Sequence, residues 1–278
     1  GDTIDGSITN DSTSANIARD FVNTDSRDTL ILNNENATIS NITGNFIANG
    51  LSSSNSKLIN NRGHIDNIKG TFAINRAYDG LIYNNKNATI DKIEGLFFDN
   101  GGYAVNNSGI IKSILADFIS NSKSSNNYGA VVLNTETGKI GTIIGDFIDT
   151  RISNSGTIDK IEGTFTTDDV IYYNNNTAAI ENRATGTINN IKGFFIGTSI
   201  DNNGTIDKIE GTFINRKVSN NDWGNSDYAA IDNSGLIKLI LADFIANQGG
   251  GIVNSGRITD ITGTFIDNSV ISGGASYV

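Results

Sequence analysis

The chain is 278 residues long, contains no proline, cysteine or methionine, and carries a net charge of −10 with a pI near 4.5. Without cysteine there can be no disulfide, thiolate metal site or cysteine nucleophile, and the acidic balance argues against nucleic acid or an anionic membrane as partner. No run approaches the roughly 18 apolar residues of a membrane span and no signal peptide is read, so direct membrane insertion by this segment is not expected.

From the N-terminus, residues 1–23 read as a degenerate first coil, in which Ser14-Ala-Asn-Ile-Ala-Arg-Asp-Phe21 imitates a ten-residue motif that then recurs to the other end. The motif is small-x-Ile-x-x-Ile-x-(Gly/Ala)-x-Phe, and residues 156–165 return letter for letter at 204–213. Its closing phenylalanines are Phe21, Phe46, Phe72, Phe97, Phe118, Phe147, Phe165, Phe195, Phe213, Phe244 and Phe265. A repeat this short cannot bury its own apolar face and has to stack on its neighbours. The expected fold is therefore all-β: one parallel β-solenoid over residues 1–278, of about 11 coils with three short strands each. The strands are the aliphatic pair before an asparagine, Thr-Ile-Asp-Lys-Ile, and Thr-Phe-Ile; helices are disfavoured by the Ile, Phe, Thr, Asn and Gly content.

Upstream of each copy lies aliphatic-x-Asn followed by a turn. The asparagines are Asn33, Asn61, Asn84, Asn107, Asn134, Asn154, Asn182, Asn202, Asn233 and Asn254. Asn tolerates left-handed backbone and bonds locally, so it belongs in a corner; one per coil predicts a stacked amide ladder. Phe72, Phe118, Phe165, Phe213 and Phe265 are expected to form a matching aromatic column, with the two isoleucines of each copy and the aliphatic before Asn also inward.

Successive Phe anchors are 18 to 31 residues apart, which makes about 18 the bare coil and the remainder insertion. The insertions fall between Phe-Ile-x-Asn and the next aliphatic-x-Asn, on one edge of the solenoid. The residue after the second Ile runs Lys69 then Glu94, and Glu162, Lys192, Glu210, so coils in register would set opposite charges side by side. A longer period is also visible: five coils over approximately 63–165 repeat at 186–278, growth that suits a rod better than an enzyme with one site. The first coil reads as a partial cap, whereas residues 274–278 look like the opening of another turn, and the chain reads as a mature fragment.

Material for chemistry is scarce. The single histidine, His64, sits in a slot that holds Thr157, Lys139, Arg257 and Leu236 elsewhere, so it is read as a variable outward position. A Ser-His-Asp site has almost nothing to be built from, and no catalytic residue, cofactor or metal site is expected. Asp117 and Asp146 share a slot on adjacent coils and form the one carboxylate pair a glycoside-cleaving alternative could use. The insertions are the better functional candidates. The longest, residues 216–228, carries the only tryptophan, Trp223, together with Tyr228, and other insertions bring Tyr128, Tyr172 and Tyr173. Aromatics among Asn, Ser and Gly suit contact with glycan or protein.

The run of residues 235–256, with its Leu-Ile-Lys-Leu-Ile-Leu-Ala-Asp-Phe and Ile-Val-Asn-Ser-Gly, resembles the passenger repeats of bacterial autotransporter and filamentous-haemagglutinin-type adhesins. The resemblance covers nearly the whole chain and lies in the style of the repeat. It implies a right-handed parallel β-helix at the bacterial surface or outside the cell. The expected role is a non-catalytic structural or adhesive rod whose partner is a surface protein or glycan of a host or neighbouring cell. The alternatives are a filament subunit associating end to end and a polysaccharide lyase or hydrolase on the same fold.

Overall fold

The computed structural model describes residues 7–13, 15–26, 29–51, 56–76, 79–121, 130–167, 178–215 and 229–269. They form a parallel β-solenoid. Eleven short strands, from Ile8–Asn10 to Ile252–Asn254, make one parallel sheet whose order follows the chain. A second sheet is built from the longer strands, from Ala15–Ala18 to Arg257–Thr262, and again every neighbour is the next coil. The coils are numbered here by their closing phenylalanine, Phe21 being coil 1 and Phe265 coil 11.

Coils 2 to 10 have two main strands where three were expected, while in coils 1 and 11 the longer strand is broken in two, as at Arg257–Thr262 and Phe265–Ile266. The segments read as Thr-Ile-Asp-Lys-Ile and Thr-Phe-Ile are halves of one ten-residue strand, as in Thr89–Phe98 or Thr205–Ile214. The chain still turns a corner inside it. Side chains of a flat strand alternate, yet Ile90 and Ile93, three apart, are both buried. The pleat slips at the third position, Asp91, which is the one residue skipped when the strand pairs with coils 3 and 5. Beyond it, Ile93 and Phe97 return to even spacing with Gly95 between them. Among the described residues a third strand appears as a trace on the insertion edge, where Asp25–Ser26 pairs Gly50–Leu51 and bridges join Gly50 to Arg76, Arg76 to Gly101 and Gln248 to Ser269.

Register sets like on like. Phe21 to Phe265 form one column of ten stacked ring pairs, with centroids 4.4 to 5.2 Å apart and planes within 17°. That is the spacing of neighbouring strands, so backbone pairing and ring stacking are satisfied by one repeat distance. The ten phenylalanines from Phe21 to Phe244 are essentially inaccessible, as are both isoleucines of coils 2–10 and the aliphatic two residues before each Asn in those coils. At coil 11 the column meets solvent: Phe265 is 52% exposed and Ile261 46%. At coil 1 the guanidinium of Arg19 lies 5.0 Å from the Phe21 ring centroid.

The asparagine ladder runs without a break. Nδ2 of each residue donates to Oδ1 of the next along Asn10, Asn33, Asn61, Asn84, Asn107, Asn134, Asn154, Asn182, Asn202, Asn233 and Asn254, over 2.6 to 2.9 Å. The same nitrogen also reaches a carbonyl of its own turn. In tight turns that carbonyl is two residues on, as from Asn107 to Gly109 at 3.1 Å; in wide turns it is four on, as from Asn134 to Gly138 at 3.1 Å. One side chain thus closes either turn, which is how both lengths coexist in one stack. At the top, Asn10 Oδ1 accepts from the backbone N and the hydroxyl of Ser12.

A second ladder, not foreseen from sequence, lies three residues after the phenylalanines. Asn49, Asn75, Asn100 and Asn121 link in series over 2.8 to 3.0 Å, and Asn247 pairs Asn268 at 2.9 Å. Each Nδ2 also bonds the carbonyl of the Phe one coil upstream, as Asn75 does with Phe46 at 2.7 Å. The residue before these asparagines is left-handed even when it is Ala48 or Ile74, at φ 53° and 57°. A β-branched residue there costs roughly 1–2 kcal/mol; hydrogen bonds on both sides of the corner hold it in place.

Truncating a mid-column ring by Phe118→Ala should destabilise the chain by about 3–5 kcal/mol, read by denaturant unfolding. Asn107→Ala should cost about 1–3 kcal/mol, because it strands the amides of Asn84 and Asn134 in a dry corner. Losses below 0.5 kcal/mol for both would contradict a stack held by its columns.

Candidate binding surface

Apart from the two extra residues of the wide asparagine turns, the insertions leave the coil at one place, after the second asparagine position and before the short strand. The predicted contact residues Trp223, Tyr228, Tyr128, Tyr172 and Tyr173 lie outside the described residues. What is described of this edge is polar and braced. Lys57 Nζ is 2.8 Å from Asp79 Oδ2 and 4.8 Å from the ring centroid of Tyr83. Arg151 and Arg183 both approach Glu181, at 3.6 and 3.3 Å.

The outer face of the long sheet carries the predicted charge column, and register does set Lys69 beside Glu94, and Lys192 between Glu162 and Glu210. The close ion pairs are nevertheless within a strand, two residues apart. Lys92–Glu94 is 2.6 Å, Lys160–Glu162 2.5 Å and Lys208–Glu210 2.6 Å. Positions four and six lie two apart on either side of an inward isoleucine, so the ordinary alternation of a strand turns both outward and puts a lysine within reach of the glutamate on its own strand. Lys92 above all, and Lys69 by its charge, hold the Glu94 carboxyl below its ordinary value, as Lys160 and then Lys192 do for Glu162. Exposed pairs of this kind add little stability.

Carboxylates before the phenylalanines have a structural task. Where Ala replaces Gly, strand pairing to the next coil stops at Leu115↔Ile144 and resumes at Phe118↔Phe147. Asp117 Oδ1 fills the gap, accepting the backbone N–H of Asp146 at 3.0 Å. Asp243 does the same five coils on, taking the backbone N–H and hydroxyl of Thr264 at 3.0 and 2.6 Å, and Asp20 accepts from Asn45 N at 2.7 Å. The Thr264 hydroxyl first, and its N–H second, hold Asp243 below the usual carboxylate range. Beside Asp20 a shallow, open hollow of about 560 Å³ is floored by Gly44 and Gly70 and rimmed by Arg19, Asn45 and Lys69.

One grouping was missed by the sequence reading. At the slipped third position the side chains leave the sheet, and in coils 3 and 4 both are acidic. His64, two residues before Asp66, turns back over them: Nε2 is 2.7 Å from Asp66 Oδ1 and 3.7 Å from Asp91 Oδ1. Lys112 of coil 5 reaches Asp91 Oδ1 at 2.8 Å from the other side. The backbone carbonyl of Asp91 accepts from the Ser113 hydroxyl at 3.1 Å. His64, Asp66 and Asp91 offer three ligand atoms lying within 4.8 Å of one another. Column-by-column alignment would have shown the stacked acids, and the alternation of a strand about the inward Ile65 already sets His64 and Asp66 on the same side.

No family model matches the chain, and no curated protein and no solved structure matches it significantly.

Each depressed carboxyl binds protons more weakly folded than unfolded. Its contribution is complete above the ordinary carboxylate values and is lost as pH falls through the depressed ones. Thermal unfolding midpoints should therefore hold from pH 7 down to about 4.5 and drop below it. Asp243→Asn should shallow that drop; a midpoint that climbs on acidification to pH 2 would contradict the assignment.

Proposed function

We propose that the chain is a non-catalytic, extracellular structural and adhesive rod. In this reading it is displayed at a bacterial surface and engages a protein or glycan of a host or neighbouring cell through its insertion edge. The observation that carries it is the division of labour between core and edge. Coils 2 to 10 repeat the same buried Phe, Ile and Asn columns, and every insertion longer than the two extra residues of a wide turn falls on one side. A scaffold that keeps its interior fixed while varying one rim is suited to present contacts at a distance from its anchor. The resemblance of the repeats to autotransporter and filamentous-haemagglutinin-type passengers agrees with this.

Catalysis on the same fold would draw on Asp117 and Asp146. Asp117 is already engaged by the backbone N–H of Asp146, and neither carboxylate has a cation within ion-pair distance among the described residues. Both features favour a structural carboxylate over an acid–base pair.

Negative-stain electron microscopy of the purified chain should show single rods roughly 50 Å long, from eleven coils at about 4.8 Å each. A glycan and cell-surface protein panel should give binding that replacement of the 216–228 insertion by a Gly-Ser linker abolishes, with the unfolding midpoint unchanged. Polysaccharide turnover lost in Asp117→Ala or Asp146→Ala would overturn the non-enzymatic reading. Concentration-dependent fibres would replace the lone rod by a filament subunit.

A further inference from the structure

We infer that His64, Asp66 and Asp91 form a binding site for a divalent transition-metal ion of the zinc type on the flank of the rod. The inference is independent of the adhesive reading and rests on what the third-position column does elsewhere. In coils 7 to 10 that column reads Asp159, Asn189, Asp207, Lys238, so each acid meets an amide or an ammonium. Asn189 Nδ2 donates to Asp159 Oδ1 at 2.9 Å, and Lys238 Nζ lies 2.7 Å from Asp207 Oδ1. Coils 3 to 5 repeat the lower part of that arrangement, with Lys112 on Asp91, but place Asp66 where the later block has Asn189. This is the one place in the column where two carboxylates stack on adjacent coils, and the chain's only histidine stands beside it.

The ligand chemistry narrows the ion. An imidazole nitrogen with two carboxylate oxygens suits zinc, cobalt, nickel or copper, whereas magnesium and calcium prefer all-oxygen sets. Bonds of about 2.0–2.2 Å around a tetrahedral ion put neighbouring ligand atoms roughly 3.3 Å apart. Nε2 stands 2.7 Å from one carboxylate oxygen and 3.7 Å from the other, on either side of that edge. Rotations within the side chains suffice to centre an ion, and the residues on either side of each aspartate are held by pairing to both neighbouring coils. The imidazole is 36% exposed, Asp66 48% and Asp91 32%, which leaves the ion's remaining positions to water or to a ligand atom from a partner. Lys112 is the competitor. Its ammonium touches the same Asp91 oxygen, yet its side chain is 62% exposed and can withdraw into water when a divalent ion arrives.

The repeat supplies substitutions that leave the coil intact. Thr stands at the His64 position in coils 2 and 4, and Asn at the Asp66 position in coil 8, so His64→Thr and Asp66→Asn use residues this fold already carries there. Isothermal titration of the full chain with zinc chloride should show one saturable site per chain. Because the chain has one histidine, its imidazole proton resonances report on that site alone and should shift or broaden with the same midpoint. His64→Thr and Asp66→Asn should each weaken binding at least tenfold with unchanged circular dichroism, and Lys112→Gln should tighten it. Absence of saturable zinc binding, or zinc binding that His64→Thr leaves intact, would overturn the site. So would calcium binding as tightly as zinc, since the imidazole would then play no part.

Discussion

Everything in this molecule follows from the demand that each coil pair its backbone, in register, with the coil before and after it. Parallel pairing at one fixed spacing brings every residue against its equivalent one turn away, so a residue type is acceptable only if it tolerates its own kind. Phenylalanine does, because offset rings stack at the strand repeat and bury roughly 150–250 Å² each. Asparagine does, because its amide offers a donor on one side and an acceptor on the other. The columns are the result, and they explain how a chain without disulfides or proline holds a continuous core.

The same demand decides what the small positions are for. A Cβ on Gly95 would fall 1.9 Å from the carbonyl oxygen of Gly70, and a Cβ on Gly211 would fall 1.8 Å from that of Gly193. Side chains are excluded there because the preceding coil's backbone already occupies the space. Ala116 and Ala242 break the rule, and in both coils the ladder to the following coil lapses at that point and an aspartate carboxylate takes the freed amide. The exception shows which part of the pairing is local. A coil can lose two residues of ladder and keep its place, provided the amide finds another acceptor.

These relations explain which features the sequence disclosed. The inward set of Ile90, Ile93 and Phe97 and the ladder through Asn107 and Asn134 were readable because each recurs at a fixed offset from an obvious landmark. The strand count was misread because a slip of one pleat bends the chain without interrupting its pairing, and spacing alone does not separate a bent strand from two. The ladder through Asn49, Asn75 and Asn100 was missed because threonine stands in its column at Thr24, Thr150 and Thr198. Register sets Lys69 beside Glu94 as the sequence implied, but the close ion pair is made by Lys92 of the same strand, which column alignment does not show. The contact residues of the insertions were chosen by composition, and no column constrains them.

Stacking is least forgiving of charge. Like charges on adjacent coils meet at about the strand spacing, as Glu181, Asp201 and Asp232 do along the short sheet, so each such stack has to be balanced from the side. Along the column of the slipped position each acid is answered by lysine or an amide, except where Asp66 lies over Asp91. There the answer comes from the side, in the imidazole of His64. A column that otherwise alternates has at this point been given an excess of negative charge and a nitrogen ligand together, on a backbone held rigid by its neighbours. Structural neutrality needs neither: asparagine at the same place in the later block removes the repulsion without a histidine. The pair therefore makes physical sense as a preorganised receptor for a cation, built from the very like-on-like contact that the remainder of the column avoids.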